Sequence, residues 1–100
     1  MIELRHEDER AVQPLIKALS DENASVRRYA AYGLGRSGDM RAVLPLVQVT
    51  KDDSLEVSQN AQRALDKIAR KHRYKSVDEM ILKISSNLKP FYPVNNNKIS

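Results

Sequence analysis

Cysteine and tryptophan are both absent from this sequence of 100 residues. The absence of cysteine excludes disulfide bonds, thiolate metal ligands and a cysteine nucleophile, and it is compatible with a reducing cytosol. Only five residues are aromatic, so the core is expected to be built from leucine, valine, isoleucine and alanine. A chain of this length is the size of a single domain, and we therefore expect one small aliphatic core.

The sequence also lacks long apolar runs. None approaches the roughly 20 consecutive apolar residues that a membrane-spanning helix needs. The first ten residues, MIELRHEDER, mix charged and aliphatic side chains and lack the apolar middle of a signal peptide. These two absences predict a cytoplasmic protein without a membrane partner.

Acidic residues are scarce in one segment. The chain carries a formal net charge of +4. Between Arg63 and Lys75 the sequence has six basic residues and a single acidic one, Asp66. The excess of positive charge is therefore concentrated in this segment, which could face a polyanion or an acidic protein.

The sequence contains an internal repeat with a period of 31 residues. The segment DERAVQPL, residues 8–15, returns as DMRAVLPL, residues 39–46. Ten of the 31 positions in residues 8–38 are identical in residues 39–69, most of them apolar, proline or aspartate. A duplicated structural unit would retain such positions, so we expect residues 8–38 and 39–69 to fold alike.

Each repeat is predicted to form two helices. The first helix of repeat one has apolar residues at i, i+3, i+4 and i+7: Val12, Leu15, Ile16 and Leu19. Asp8 is its expected N-cap, and Pro14 is expected to kink it or to confine regular helix to the residues after the proline. No segment shows the strict alternation of a half-buried strand, so the sequence predicts an all-α fold.

The glycines of GLGRSG, residues 33–38, match the G-x-G-x-x-G fingerprint of dinucleotide sites. That motif functions between a strand and a helix, whereas here it follows a predicted helix. We therefore interpret Gly33 as a point of close helix approach, and Gly35 and Gly38 as helix terminators. Asp39 is expected to cap the next helix.

The end of the chain departs from the repeat. No glycine interrupts the second helix of repeat two, which is predicted to run to about Arg73. Ser76 and Glu79 then form a capping-box pattern, and an apolar row follows: Val77, Met80, Ile81, Ile84 and Leu88. The sequence thus predicts a capping helix at about residues 76–88 within a single domain, residues 1–89, and a flexible tail, residues 90–100.

The repeat resembles the short HEAT-like repeat that also occurs in phycobilin lyases. The resemblance lies in Pro14 of the first helix, Asp21 of the turn and the Val26-Arg27 pair that opens the second helix. Repeat two retains Pro45, Asp52 and Val57 but has Ser58 where the family has arginine. The resemblance implies stacked helical hairpins, here a short α-α superhelix of two hairpins and a cap. It also implies an ion-pair ladder between repeats, in which Asp52 is available to Arg27.

No catalytic or metal site is predicted. Deoxyhypusine hydroxylases resemble this family and bind iron through His-Glu pairs in their second helices, but the matching positions here hold Arg28-Tyr29 and Gln59-Asn60. His6-Glu7 lies before a first helix and is interpreted as a solvated turn. The other histidine, His72, is interpreted as a half-buried residue at a helix end without a catalytic partner. We expect no enzyme activity and no cofactor.

The basic segment has two functional interpretations and one structural one. Its residues recur at helical spacing and are expected to form one face: Arg63, Lys67, Arg70, Lys71 and Tyr74. Such a face could bind nucleic acid or an acidic protein, and it could also simply solvate an end helix.

The best interpretation is a non-enzymatic module that binds an unidentified partner protein. In HEAT-type solenoids the second helices line the concave side, so the candidate contact residues lie there: Arg28, Tyr32, Gln59, Gln62, Arg63, Lys67, Arg70 and Lys71. Tyr29 and Tyr32 could instead pack between units. Two repeats form a short stack, so either the N-terminal edge pairs with another chain, with self-association as a candidate, or the chain is part of a larger repeat protein. The alternatives are nucleic-acid binding and an accessory role in bilin attachment.

Overall fold

The computed structural model describes the backbone of residues 2–87 and the side chains of residues 10–87. Leu88 and the tail at residues 90–100 lie outside the described residues, as do the side chains of His6 and Glu7. Within residues 2–87 the chain forms five α-helices and no strand. The all-α prediction is confirmed.

The helices follow the two repeats. Repeat one contains α1 (Ile2–Ala18) and α2 (Ala24–Ser37). Repeat two contains a single turn of 3₁₀-helix (Met40–Ala42), which leads into α3 (Val43–Val49), and then α4 (Leu55–Lys71). The fifth helix, α5 (Val77–Asn87), follows outside the repeat. The most extensive contact between helices joins α2 to α4, so the second helices of the two repeats stack on each other.

The first helix begins earlier than the sequence predicts. Asp8 is an interior residue of α1 and not its N-cap, because the helix already starts at Ile2. Residues 2–7 contain neither proline nor glycine, so nothing in them stops helix from extending backwards. Pro14 lies inside α1 and does not end it. In repeat two, by contrast, regular α-helix begins at Val43, which leaves Pro45 in the first turn, where proline is tolerated.

The core is aliphatic, as expected. Its fully buried members of largest volume are Leu34, Leu46, Ile68, Met80, Val12, Val43 and Val57. No polar or charged side chain among the described residues is buried. The apolar row of each helix therefore faces its neighbours, and the charged side chains remain at the surface.

The role assigned to Gly35 is wrong. Gly35 is buried inside α2 and does not end the helix. A Cβ atom at this position would lie 2.9 Å from the Cα of Ala64 on α4, so glycine is what permits the two helices to come this close. At Gly33 a Cβ would meet only the Leu15 side chain, at 3.1 Å. Gly35, rather than Gly33, is thus the main point of close helix approach.

The role of Gly38 as a helix terminator is confirmed. Its φ of 67° lies in the left-handed region that glycine tolerates, and its N–H donates to the carbonyl of Leu34. Asp39 then caps the 3₁₀ turn, because its carboxylate accepts from the backbone N–H of Arg41. The short segment Ser37–Asp39 therefore ends one repeat and starts the next.

Helix α4 ends at Lys71, two residues before the predicted end. Arg73 adopts a left-handed φ of 67°, and its N–H donates to the carbonyl of Arg70. The N–H of Tyr74 donates to the carbonyl of Ala69 at 2.9 Å. These two bonds form a Schellman motif, which turns the chain back so that the ring of Tyr74 packs against the core.

Helix α5 covers the open edge of repeat two. The predicted Ser76 and Glu79 pairing is confirmed: Ser76 Oγ accepts from the Glu79 N–H, and the Glu79 carboxylate accepts from the Lys75 N–H. Met80 is fully buried, and Val77, Ile81 and Ile84 pack partly buried against the core. A groove of about 280 Å³ remains between α3, α4 and α5.

The ion pair between the repeats is present as expected. Arg27 donates through Nε and Nη2 to both carboxylate oxygens of Asp52, at 2.7 and 3.0 Å. Its Nη1 donates to the backbone carbonyls of Asp21 and Glu22. One arginine therefore links the turn of repeat one to the turn of repeat two by bidentate pairing, which fixes both distance and orientation.

This ion pair predicts an acid-sensitive contribution to stability. The side-chain hydrogen bond from Arg27 lowers the pKa of Asp52 below its usual value. A carboxyl with a lowered pKa in the folded state contributes stability above its unfolded pKa of about 3.9 and loses it as pH falls through the folded pKa. The difference in free energy of unfolding between wild type and Asp52→Asn should be largest near neutral pH and shrink below about pH 4. Urea titrations at several pH values measure it, and a difference that stays constant down to the lowest pH would contradict this account.

Candidate functional site

The stacked helices α2 and α4 form a shallow groove of about 140 Å³. Six residues line it: Tyr32 and Gly35 of α2, and Asn60, Arg63, Ala64 and Lys67 of α4. We call this feature the α2–α4 groove. Tyr32 and Gly35 are three residues apart, and Asn60 is followed by Arg63, Ala64 and Lys67 at three, four and seven residues, a spacing that places side chains on one face of a helix. The groove therefore follows from helix periodicity together with the stacking of the two repeats.

The floor of the groove is formed by small residues. Gly35, which has no side chain, lies against Ala64, whose side chain is a single methyl group. Tyr32 stands at one side with 48% of its surface exposed. The Nζ of Lys67 lies 5.4 Å from the centroid of the Tyr32 ring, within the range of a cation–π contact. An apolar floor with an aromatic wall can accept an apolar side chain, and the cations beside it can bind an anion.

The charges at this site are mainly positive. Arg28 is close to Glu56, with 3.7 Å between Nε and Oε1, and both side chains are well exposed. Arg63 and Lys67 have no carboxylate partner among the described residues. Because an exposed pair such as Arg28 and Glu56 is weak, Arg28 can exchange its partner for an external carboxylate. Two cations, Arg63 and Lys67, thus line the groove, and Arg28 lies one turn before Tyr32 on α2.

The other candidate contact residues do not lie in this groove. Gln59 is exposed on α4, whereas Gln62 lines the separate groove between α3, α4 and α5. Arg70 pairs with Asp66 one turn earlier on the same helix. The Nζ of Lys71 donates to the carbonyl of Ser37 at 3.0 Å, and its side chain lies against Gly38. The structure therefore divides the predicted set between several environments.

The expectation that the basic face continues to Tyr74 is wrong. Helix α4 ends at Lys71, so Tyr74 does not continue its surface and packs partly buried against the core instead. Lys71 points to the junction with repeat one, and Arg70 is paired. Of the basic residues of α4, Arg63 and Lys67 are the two that line the α2–α4 groove. The left-handed turn at Arg73 is the physical reason why Tyr74 leaves the surface of α4.

His72 is more exposed than the half-buried position that the sequence analysis assigned to it. Its side chain is exposed overall, and its Nε2 lies 2.7 Å from the carbonyl oxygen of Gly38. Lys71 and His72 thus both contact the segment that ends repeat one. These contacts give His72 a role in joining the repeats.

Four residues of the site were missed in the sequence: Gly35, Glu56, Asn60 and Ala64. Asn60 lines the groove, and its Nδ2 donates to the Glu56 carbonyl at 2.9 Å. The sequence did contain a signal for the residues of α4, because one face of a helix is indicated by spacings of four, three and four. These spacings separate Glu56, Asn60, Arg63 and Lys67. Tyr29 is 69% exposed, so it does not pack between the two units.

Neither metal ligation nor membrane crossing is supported by the described residues. In that part of the chain no three histidine, cysteine, aspartate or glutamate side chains are grouped so that they could hold a metal ion. None of its helices combines the length and the apolar character that crossing a membrane would require.

The arrangement of two stacked hairpins agrees with the comparison with known families. No curated protein matches the sequence. A family model described as HEAT repeats matches residues 6–83. This match includes both 31-residue repeats and more than half of α5, and such repeats generally mediate protein–protein interaction. The chain belongs to the HEAT repeat family.

Proposed function

We propose that the chain binds a partner protein through the α2–α4 groove and that the bound segment of the partner is acidic. The observation that carries this proposal is the position of Arg63 and Lys67. They lie without carboxylate partners among the described residues, beside an apolar floor formed by Gly35 and Ala64. A carboxylate of the partner would pair with these cations, while an adjacent apolar side chain would rest on the floor against Tyr32.

The composition of the groove supports a protein ligand. Tyrosine and arginine are enriched in protein interfaces, and they contribute disproportionately to binding energy. Tyr32 and Arg63 provide both types within one groove. Complementary charge would raise the association rate and orient the partner. The N-terminal edge of the stack is a different face of α2, so self-association there would leave this groove open.

Nucleic-acid binding remains the alternative, and the geometry favours it less. Affinity for a phosphate backbone depends on many cations acting together. Arg70 is paired with Asp66, and Lys71 donates to a backbone carbonyl at the repeat junction. The cations that remain at the groove suit one or two carboxylates better than a continuous row of phosphates.

Photo-crosslinking in the source cells tests the proposal. A benzophenone amino acid in place of Tyr32 should form a protein adduct, because position 32 stands at the wall of the groove. The additional double substitution Arg63→Glu/Lys67→Glu should reduce this adduct at least about tenfold, since like charges would then face the acidic segment. Mass spectrometry of the adduct identifies the partner.

The matched control is Lys17→Glu/Lys51→Glu, which changes the net charge equally at two exposed lysines outside the groove. This control should retain the adduct. Equal loss in both double variants would show that only the overall charge matters. Sensitivity of the adduct to nuclease would favour nucleic acid over protein. Either result contradicts the proposal.

A further inference from the structure

We infer that α2 is also the centre of a two-fold symmetric interface with a second copy of this chain. The inference concerns a face that is separate from the α2–α4 groove and does not depend on the proposed partner. The face consists of Glu22, Val26, Tyr29, Gly33 and Arg36, and we call it the edge face. Val26, Tyr29, Gly33 and Arg36 recur at spacings of three, four and three, which places them in one row along α2. Glu22 lies in the turn just before Asn23, the N-cap of this helix.

The internal repeat shows what such a row does. With the 31-residue offset, the edge face corresponds to Asp53, Val57, Asn60, Ala64 and Lys67. In repeat two this row packs against α2: Ala64 touches Gly35, Lys67 lies over Tyr32, and Val57 is fully buried. The row is therefore the side that a second helix of this fold presents to the neighbouring helix in the stack.

The same row in repeat one has no such neighbour among the described residues. Val26 is 38% exposed, whereas its counterpart Val57 is 0% exposed. Tyr29 is 69% exposed. Beside Gly33, a groove of about 250 Å³ opens between α1 and α2, lined by Ala11, Leu15, Gly33, Arg36 and Ser37. An apolar row and an open groove thus remain where the stack would continue.

The order of the residues makes this face complementary to itself. Tyr29 is the midpoint of the edge face, and Val26 and Gly33 lie on either side of it. The acidic Glu22 follows beyond Val26, and the basic Arg36 follows beyond Gly33. If two copies meet with their α2 helices antiparallel, Tyr29 contacts Tyr29 of the second copy. Val26 enters the groove beside Gly33 of the second copy, and Glu22 lies opposite its Arg36. Each contact occurs twice, as an isologous dimer requires.

The charges explain why the second copy fits better than an unrelated helix. Glu22 and Arg36 are both exposed and stand at opposite ends of the edge face. An antiparallel copy pairs each of them with the opposite sign, whereas a parallel copy would place like charges together. The face therefore specifies both the occupant and its direction.

Light scattering over a range of protein concentrations tests the interface. It is applied to wild type, to two single charge-reversal variants and to the double variant that restores the charge pairs. Wild type should reach twice the monomer mass of 11.4 kDa. Arg36→Glu and Glu22→Arg should each raise the dissociation constant at least about tenfold, because like charges then meet at both ends. The double variant Glu22→Arg/Arg36→Glu should dimerise like wild type, since the pairs are restored with their signs exchanged.

A cysteine placed at the midpoint gives an independent measurement. Because the chain has no cysteine, Tyr29→Cys should form a single disulfide-linked dimer on mild oxidation. Leu55→Cys is the matched control, since Leu55 is exposed to the same 69% on another helix, and it should remain largely unlinked. A monomeric wild type at high concentration would overturn the inference. A dimer that survives both single charge reversals, or equal linkage through the two cysteines, would also overturn it.

Discussion

Replacing Met80 by alanine should lower the free energy of unfolding by about 2–4 kcal/mol. Met80 is 0% exposed, and it is the single fully buried residue in the described part of α5. The substitution removes buried apolar contacts and leaves a cavity between α5 and the second repeat, and both effects destabilise the folded state. Urea unfolding followed by circular dichroism measures the loss. For a domain this small, whose total stability is of the order of 5–10 kcal/mol, the loss is a large fraction.

Leu82 provides the matched control on the same helix. Its side chain is 68% exposed, so Leu82→Ala should change stability by no more than about 0.5 kcal/mol. Both substitutions introduce alanine into α5, so they change its helix propensity in a similar way. The difference between their effects on the free energy of unfolding therefore measures how α5 packs against the second repeat. Equal effects of the two substitutions would mean that α5 does not cover the second repeat through Met80.

The second large effect is expected at the crossing of α2 and α4. Gly35→Ala places a Cβ 2.9 Å from the Cα of Ala64, and backbone cannot move aside as a flexible side chain can. The two helices must separate, which should cost about 2 kcal/mol and outweigh the gain of about 1 kcal/mol in helix propensity. We therefore expect a lower urea midpoint and weaker binding at the α2–α4 groove, whose floor would widen.

Gly33→Ala is the control for this substitution. Its new Cβ would lie 3.1 Å from a Leu15 methyl group, a contact that a side-chain rotation can relieve. Repeat two holds Ala64 at the corresponding position, so the fold accepts alanine there. Gly33→Ala should be neutral or up to about 1 kcal/mol more stable than wild type. If Gly33→Ala lowered the free energy of unfolding and Gly35→Ala did not, the contact between the repeats would have to be formed differently.

Much of the fold could be predicted because the repeat preserves the residues that define it. The apolar rows predicted the helices, and the aligned Asp21 and Asp52 located the turns. Arg27 could be assigned to Asp52 because Ser58 cannot form an ion pair. Gly38, Asp39 and Ser76 have local roles in ending or starting helices, and local roles can be deduced from neighbouring residues.

The errors concern features that depend on the rotation of helices within the stack. Gly33 and Gly35 are two residues apart in one helix, and the sequence alone does not show which of them faces α4. The break of the basic face after Lys71 depends on the left-handed φ of Arg73, a non-glycine residue for which that conformation is uncommon. The start of α1 was predicted wrongly because Asp8 is a favoured N-cap residue, whereas residues 2–7 contain no proline or glycine and continue the helix past it.

Both proposed surfaces depend on how α2 divides its faces between α4 and solvent. The side that carries Arg28, Tyr32 and Gly35 borders α4, whereas the edge face around Tyr29 remains exposed. This division is what allows the two proposed binding surfaces to lie on a single helix. It also explains why the aromatic residues at positions 29 and 32, one turn apart, have different environments.

A nuclear Overhauser experiment on the isotope-labelled full chain measures this division directly. The structure predicts a strong cross-peak between the α-protons of Gly35 and the methyl group of Ala64, and none between those of Gly33 and the same methyl group. That result would place Tyr32 in the groove and Tyr29 on the edge face. A cross-peak from Gly33 to Ala64 instead would mean that α2 is rotated in the stack, and it would contradict both proposed surfaces.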